Sequence, residues 1–147
     1  MLLVVVVVFA NVSVRKSFPD TSGEVRINAL HSKVTVERDG KGIPQIYADN
    51  PDDLFFAQGY VHAQDRFYEM DFRRHVTAGT LSELVGKSAL DTDEYVRTLG
   101  WRRVAKQELA LLDHKTRSLL DAYSSGVNSY IDGKSGSKLS LEFSVLG

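Results

Sequence analysis

The sequence predicts a helix-rich α+β chain, and three observations lead there. Residues 34–48 alternate β-branched and polar side chains around Asp39-Gly40-Lys41-Gly42, the pattern of a β-hairpin with a Gly-containing loop. Residues 51–76 carry apolar side chains at helical spacing behind a strong helix start. Further helical stretches follow to residue 131, each ended or begun by a glycine or a capping aspartate. The 147 residues contain no internal repeat and suit one domain, and 43% hydrophobic with 25% charged content suits a chain that buries a core. Lys plus Arg number 18 against 19 Asp plus Glu, so a net charge of −1 leaves no electrostatic footprint for a nucleic-acid partner. The absence of cysteine excludes disulfides, thiolate-bound zinc and thiol nucleophiles.

In chain order, MLLVVVVVFANVSV is uncharged, and Leu2 to Ala10 is unbroken apolar sequence. As a helix the stretch to Val14 would span only about 20 Å of a roughly 30 Å bilayer core, and no basic residues precede it. Residues 1–16 therefore read as an anchor or signal remnant whose beginning lies upstream, with a buried β-strand, favoured by five consecutive valines, as the alternative. Residues 17–33 read as a linker with one extended piece, where Glu24, Val25, Arg26 and Ile27 alternate polar and apolar. In the hairpin, Pro44 near the start of its strand suits an edge, where a missing N–H is tolerated.

Asn50 as cap, Pro51 at the first helical position and Asp52-Asp53 at the positive end of the dipole start the long helix. Phe56, Tyr60, Ala63, Phe67 and Met70 form its apolar face, and Gly79 stops it. Helices are expected near 80–85, 92–98, 101–112 and 114–131, a turn at 133–137 and a strand over Leu139–Leu146. The end at Gly147, directly after an apolar run, reads as a cut or processed junction.

Self-contained catalysis is not legible. His62 and Asp65 lie three apart on one helical face and His75 lies further along, but no third ligand at a recognisable spacing completes a metal site. Glu69 and Arg73 form an i, i+4 pair worth a few tenths of a kcal/mol. Asp65 and Arg66 read as a buried ion pair that holds neighbouring backbone. Phe55, Phe56, Tyr60, Phe67, Tyr68 and Phe72 read as core packing in preference to an acyl pocket. No Gly-x-Ser-x-Gly elbow, P-loop or dinucleotide fingerprint is present, so no catalytic residue is assigned.

The segment GIPQIYADNPDDLFFAQGYVHAQDRFYEMDFRRHVTAGTLSELVG resembles the start of the penicillin acylase (penicillin amidase) family, whose α subunits carry a G-x-P-H-I-Y-A segment and then a G-Y-x-x-A-Q-D-R helix. The matching residues are Gly42, Pro44, Ile46, Tyr47 and Ala48, then Gly59, Tyr60, Ala63, Gln64, Asp65 and Arg66. Arg73-Arg74, Gly79-Thr80, the Glu83 to Gly86 segment and LLDAYSSGVNSYIDG extend the likeness over residues 33–147. Gln45 stands where the family usually has His. The resemblance gives Pro44, Tyr47, Gly59, Asp65 and Arg66 structural roles and leaves the substrate-binding residues unassigned.

The same resemblance implies the helix-rich α-subunit portion of a four-layer αββα N-terminal-nucleophile hydrolase, beginning with a β-hairpin. In such enzymes the precursor cleaves itself, and the new N-terminal Ser of a separate β subunit attacks an amide carbonyl with its own α-amino group as base. Gly136-Ser137 imitates a Gly-Ser junction but continues Lys-Leu-Ser where the family's β subunit opens Ser-Asn-x-Trp, so it is not the cleavage site. The expected partners are that β subunit and a small-molecule amide, with any calcium held in the complete enzyme outside this chain. Export from the cytoplasm, with membrane anchoring through residues 1–16, is expected as well. A non-catalytic, membrane-tethered scaffold is the alternative from another functional class.

Overall fold

A computed structural model describes residues 1, 11–12, 14–15 and 17–143. Residues 11, 12, 14, 15 and 17 are helical and the stretch 2–10, on which the anchor and strand readings rest, lies outside the described residues. No helix among the described residues is long and apolar enough to cross a membrane.

The elements are β1 (Thr35–Arg38), β2 (Pro44–Tyr47), α1 (Pro51–Ala78), α2 (Ser82–Val85), a 3-10 turn at Lys87–Ala89, α3 (Leu90–Leu99), α4 (Trp101–Leu109), α5 (His114–Ile131) and a final 3-10 turn at Gly136–Lys138. The chain is thus helix-rich α+β with one antiparallel hairpin, registered Thr35 to Tyr47, Val36 to Ile46, Glu37 to Gln45 and Arg38 to Pro44. The expected strand at 139–146 is not formed over its described part: residues 139–142 after the 3-10 turn are turn, bend or irregular, residue 143 is helical, and 144–147 lie outside the described residues. Glu24–Ile27, expected as a short extended piece of linker, forms no regular element and pairs with no strand among the described residues.

The chain divides into two compact units, and the first is discontinuous, made of Pro19–Asp65 and Asp113–Ser135. Its core is Phe56, Ala57, Val61, Ala63 and Tyr130, each at most 7% exposed. The start of α1 closes on itself: Asn50 Oδ1 accepts from the Asp53 N–H (2.8 Å), and Asn50 Nδ2 donates to Asp53 Oδ2 (2.7 Å). At the start of α5, Asp113 caps as its sequence position suggests, accepting from the Thr116 N–H (2.9 Å). The two helices touch backbone to backbone. A Cβ on Gly59 would lie 2.0 Å from the Tyr123 carbonyl oxygen, and one on Gly126 would lie 1.9 Å from that of Phe56. Only glycine fits at either place.

The second unit is built on Arg66–Leu112. Arg66 interrupts α1 with non-helical φ −153°, ψ 37°, a break that the continuous apolar periodicity does not reveal. The helix ends in a Schellman turn: Gly79 N–H donates to the Val76 carbonyl and Thr80 N–H to that of His75. Gly79 has φ +67°, and a Cβ there would lie 2.7 Å from Arg97 Cγ, so conformation and space both select glycine. Buried Asp93, from the first turn of α3, accepts from the Leu81 (2.7 Å) and Ser82 (2.9 Å) N–H groups and so orients the start of α2. Hydrogen bonds from Ser82 and Leu81 with the charge of Arg97 outweigh burial and hold the Asp93 carboxyl below its usual range.

Candidate functional site

The hairpin unit contains a cavity of ≈ 670 Å³. Val34, Val36 and Arg38 in and beside the hairpin border it, as do the irregular segment 20–28, extended in the sequence reading, and the Phe56, Ala57, Tyr60, Val61 and Gln64 face of α1. Its walls mix apolar side chains with polar and charged ones such as Glu24, Arg26 and Lys33, and a polar knot borders it.

That knot centres on Arg38. Its guanidinium grips Asp65 bidentately, NH2 to Oδ1 at 2.7 Å and NH1 to Oδ2 at 3.1 Å. The same NH1 donates to the Gly42 carbonyl (3.0 Å), and NH2 donates to Gln64 Oε1 (2.9 Å). Gln64 then donates from Nε2 to the Asp20 carbonyl (2.7 Å). One planar cation thereby ties the hairpin loop, α1 and the extended segment together, a task that suits the fixed fork of arginine. The expected Asp65–Arg66 pair is corrected by this geometry. Asp65 pairs with Arg38, while Arg66 is exposed and forms no ion pair among the described residues. Adjacent helical residues point about 100° apart and do not face each other, whereas residue 38 reaches Asp65 across space. Nor is the pair deeply buried, since about a fifth of each side chain remains accessible (19% and 21%).

A second tether holds the stretch that leads into β1. Asp53 is 1% exposed and accepts from the His31 N–H (Oδ1, 2.9 Å) and the Ser32 N–H (Oδ2, 2.9 Å). Burial alone would raise its pKa, but these bonds and the one from Asn50 outweigh it and lower the carboxyl to about 2. Sequence reasoning assigned Asp53 only to the helix dipole and gave Arg38 no role. The chain position of each discloses nothing of partners 22 and 27 residues away.

Of the remaining expected residues, Pro44 opens β2 and is half-buried. Tyr47 is 53% exposed and its hydroxyl donates to Gln45 Oε1 (3.0 Å). Gly59 sits at the helix crossing. His62 and Asp65 do not converge: His62 Nδ1 lies 3.0 Å from the Tyr123 hydroxyl, whereas Asp65 faces Arg38. Among the described residues no group of three His, Asp or Glu could hold a metal ion. Glu69 and Arg73 do pair, at 2.9 Å on the exposed face. Of the six aromatics read as core, only Phe56 is fully buried and the other five are half-buried. Tyr60 and Tyr130 meet edge to face at 5.2 Å, and burial raises the pKa of both, with Tyr60 and Asp65 adding to the effect at Tyr130. Lys134 Nζ lies 3.6 Å from the centre of the Tyr130 ring, and burial lowers its pKa.

The histidine closest to a hydroxyl in the second unit is not placed as a base. His75 Nδ1 is 3.1 Å from the Thr80 carbonyl and 2.9 Å from Thr80 Oγ1, and its Nε2 is 2.9 Å from an Arg74 guanidinium nitrogen. A carbonyl only accepts and a guanidinium only donates, so Nδ1 carries the proton and cannot take one from the threonine.

The chain matches the penicillin amidase family over residues 33–147. It is 36% identical to a penicillin acylase 2 proenzyme of a Pseudomonas species (strain SE83) over 135 residues, which cover 92% of this chain and 17% of that protein. An acyl-homoserine lactone acylase of Pseudomonas aeruginosa is 36% identical over 115 residues, 78% of this chain and 14% of that protein. Among solved structures, a thermostable penicillin G acylase from Alcaligenes faecalis superposes with a TM-score of 0.62 at 31% identity, covering 68% of this chain and 53% of that one. The chain therefore spans less than a fifth of the length of these two curated relatives. Hairpin, long helix and glycine crossing all lie inside the matched region, and the chain belongs to the penicillin amidase family.

Proposed function

We propose that this chain is the N-terminal part of the α subunit of an amidohydrolase that cleaves linear amides of acylated amines, with its nucleophile on a separate β subunit. The observation that carries the reading is the family match across the hairpin and α1, on which Arg38, Gln64 and Asp65 build a purely structural knot. The β subunit's N-terminal serine would attack the amide carbonyl, with its own amine taking the proton. This chain's part is to hold the hairpin and helices as a wall for that subunit. The names of the relatives point to acyl side chains of β-lactams and to N-acyl homoserine lactones as the substrate classes. Export belongs to the same reading, supported by the apolar run at 2–10. The same reading assigns any calcium of the complete enzyme to residues outside this chain.

The test is expression of the complete gene, followed by detection of free amine from an acylated β-lactam and from an N-acyl homoserine lactone. Release of amine, abolished when the first serine of the β chain is changed to alanine, is the expected result. A folded, processed product that releases no amine from either substrate would leave the scaffold reading instead.

A further inference from the structure

The two edges of the hairpin are not equivalent. Asp39 N–H donates to the Ile43 carbonyl (3.1 Å), which makes 39 and 43 a hydrogen-bonded pair. By the alternation of an antiparallel ladder, Glu37/Gln45 and Thr35/Tyr47 are hydrogen-bonded pairs as well, whereas Arg38/Pro44 and Val36/Ile46 are not. The N–H and C=O of Val36 therefore point to the outer edge of β1. On β2 the outer edge includes Pro44, which has no N–H to offer. One edge is blunted and the other is open, and two strands alone make a marginal sheet.

The cavity adjoins residues of the open strand. Val36 of that strand and Val34 just before it border it, and Val25, Ile27, Phe56 and Val61 are among its other apolar neighbours, beside charged Glu24, Arg26 and Lys33. Val25 is 63% exposed and Val36 40%, although both occupy apolar positions of alternating sequence. Glu24–Ile27 has strand-like alternation with no strand beside it among the described residues.

We propose that this cavity is a strand slot, filled by an extended segment of the polypeptide that completes the enzyme. That segment pairs with the open edge of β1 and covers Val25 and Val36. The inference rests on the proposed function only in requiring a longer polypeptide. Length supports this occupant, because the chain spans 17% of the penicillin acylase 2 proenzyme and most of such a protein lies outside these residues. The chemistry supports it too: a strand supplies both backbone partners for Val36 and an alternating apolar row for the valines, and a small amide supplies no row.

Hydrogen exchange of the complete, processed enzyme tests the slot, with Glu37, already bonded within the hairpin, as the internal standard. The Val36 amide is expected to exchange within about tenfold of the Glu37 amide. Fast exchange at Val36 in an enzyme that hydrolyses acyl amides would overturn the slot and leave the hydrolase reading intact. Slow exchange in a protein without amidase activity would do the reverse. Protection that arises only on adding acylated amine, or only as protein concentration rises, would assign the cavity to substrate or to a second copy and overturn the slot. A Val25→Asp variant gives an independent readout: the yield of assembled enzyme should fall at least about tenfold, because a covered carboxylate would be unpaired. An unchanged yield would count against the slot.

Discussion

Along its first half, α1 meets α5 through backbone but meets the hairpin and the extended segment through side chains. At the α5 contact, Gly59 and Gly126 bring each helix against the other's carbonyls with no space left. Toward the hairpin, Arg38 and Asp53 act as tethers around an open cavity. The first contact is closely packed, while the second borders open space. Close packing and polar tethering thus serve different ends on one helix, and they should fail differently.

The largest effect is expected from Gly126→Ala. The new methyl would sit 1.9 Å from the Phe56 carbonyl oxygen, so the helices must separate, at a loss of about 3 kcal/mol or more. Thermal unfolding of the complete enzyme should reveal a large drop in Tm or no assembled product; a variant that melts like the parent would contradict the backbone contact. An intermediate effect separates Arg38 from Arg66. Arg38→Ala strips Asp65 and Gln64 of their donor and should destabilise by about 1–3 kcal/mol, whereas Arg66→Ala should stay within about 0.5 kcal/mol. Equal losses for the two variants in denaturant titrations would restore the sequence-based pairing.

The smallest effect is confined to acid. Asp53 titrates near 2 in the folded chain against about 3.9 when unfolded, so between those values the unfolded state binds more protons. The stability it contributes is fully present above about pH 4 and is lost as pH falls through about 2. Over that window the melting temperature of the parent should fall more steeply than that of Asp53→Asn. Parallel curves would show that the His31 and Ser32 contacts do not favour the charged form.

The elements on both sides of α1 are legible in the sequence, but the two kinds of contact are not. Alternation around Asp39-Gly40-Lys41-Gly42 locates the hairpin to within a residue at each end, and Asn50-Pro51 marks the start of α1. The Asp113 cap and the ends of α5 follow from the same local signals. Local patterns cannot reveal a partner distant in sequence, which is why Asp65 was matched to its neighbour and Arg38 was passed over. They also cannot tell a strand from an extended segment that lacks one: Glu24–Ile27 has the alternation but no neighbour among the described residues. The break at Arg66 was missed for a related reason, since apolar periodicity continues across it.

The discontinuity of the hairpin unit has a consequence for biosynthesis. Asp52 of α1 and its partner Ser118 of α5 are 66 residues apart in sequence, and all of Arg66–Leu112 is made between them. At about 5–20 residues per second, the first half of α1 leaves the ribosome roughly three to thirteen seconds before the helix that seals it. During that interval Phe56 and Tyr60 lack α5, and the glycine faces are bare. A slow stretch of message within the Arg66–Leu112 coding region would prolong that exposure. Synonymous codon changes in that region should therefore alter the soluble yield of the enzyme without altering a single contact in it.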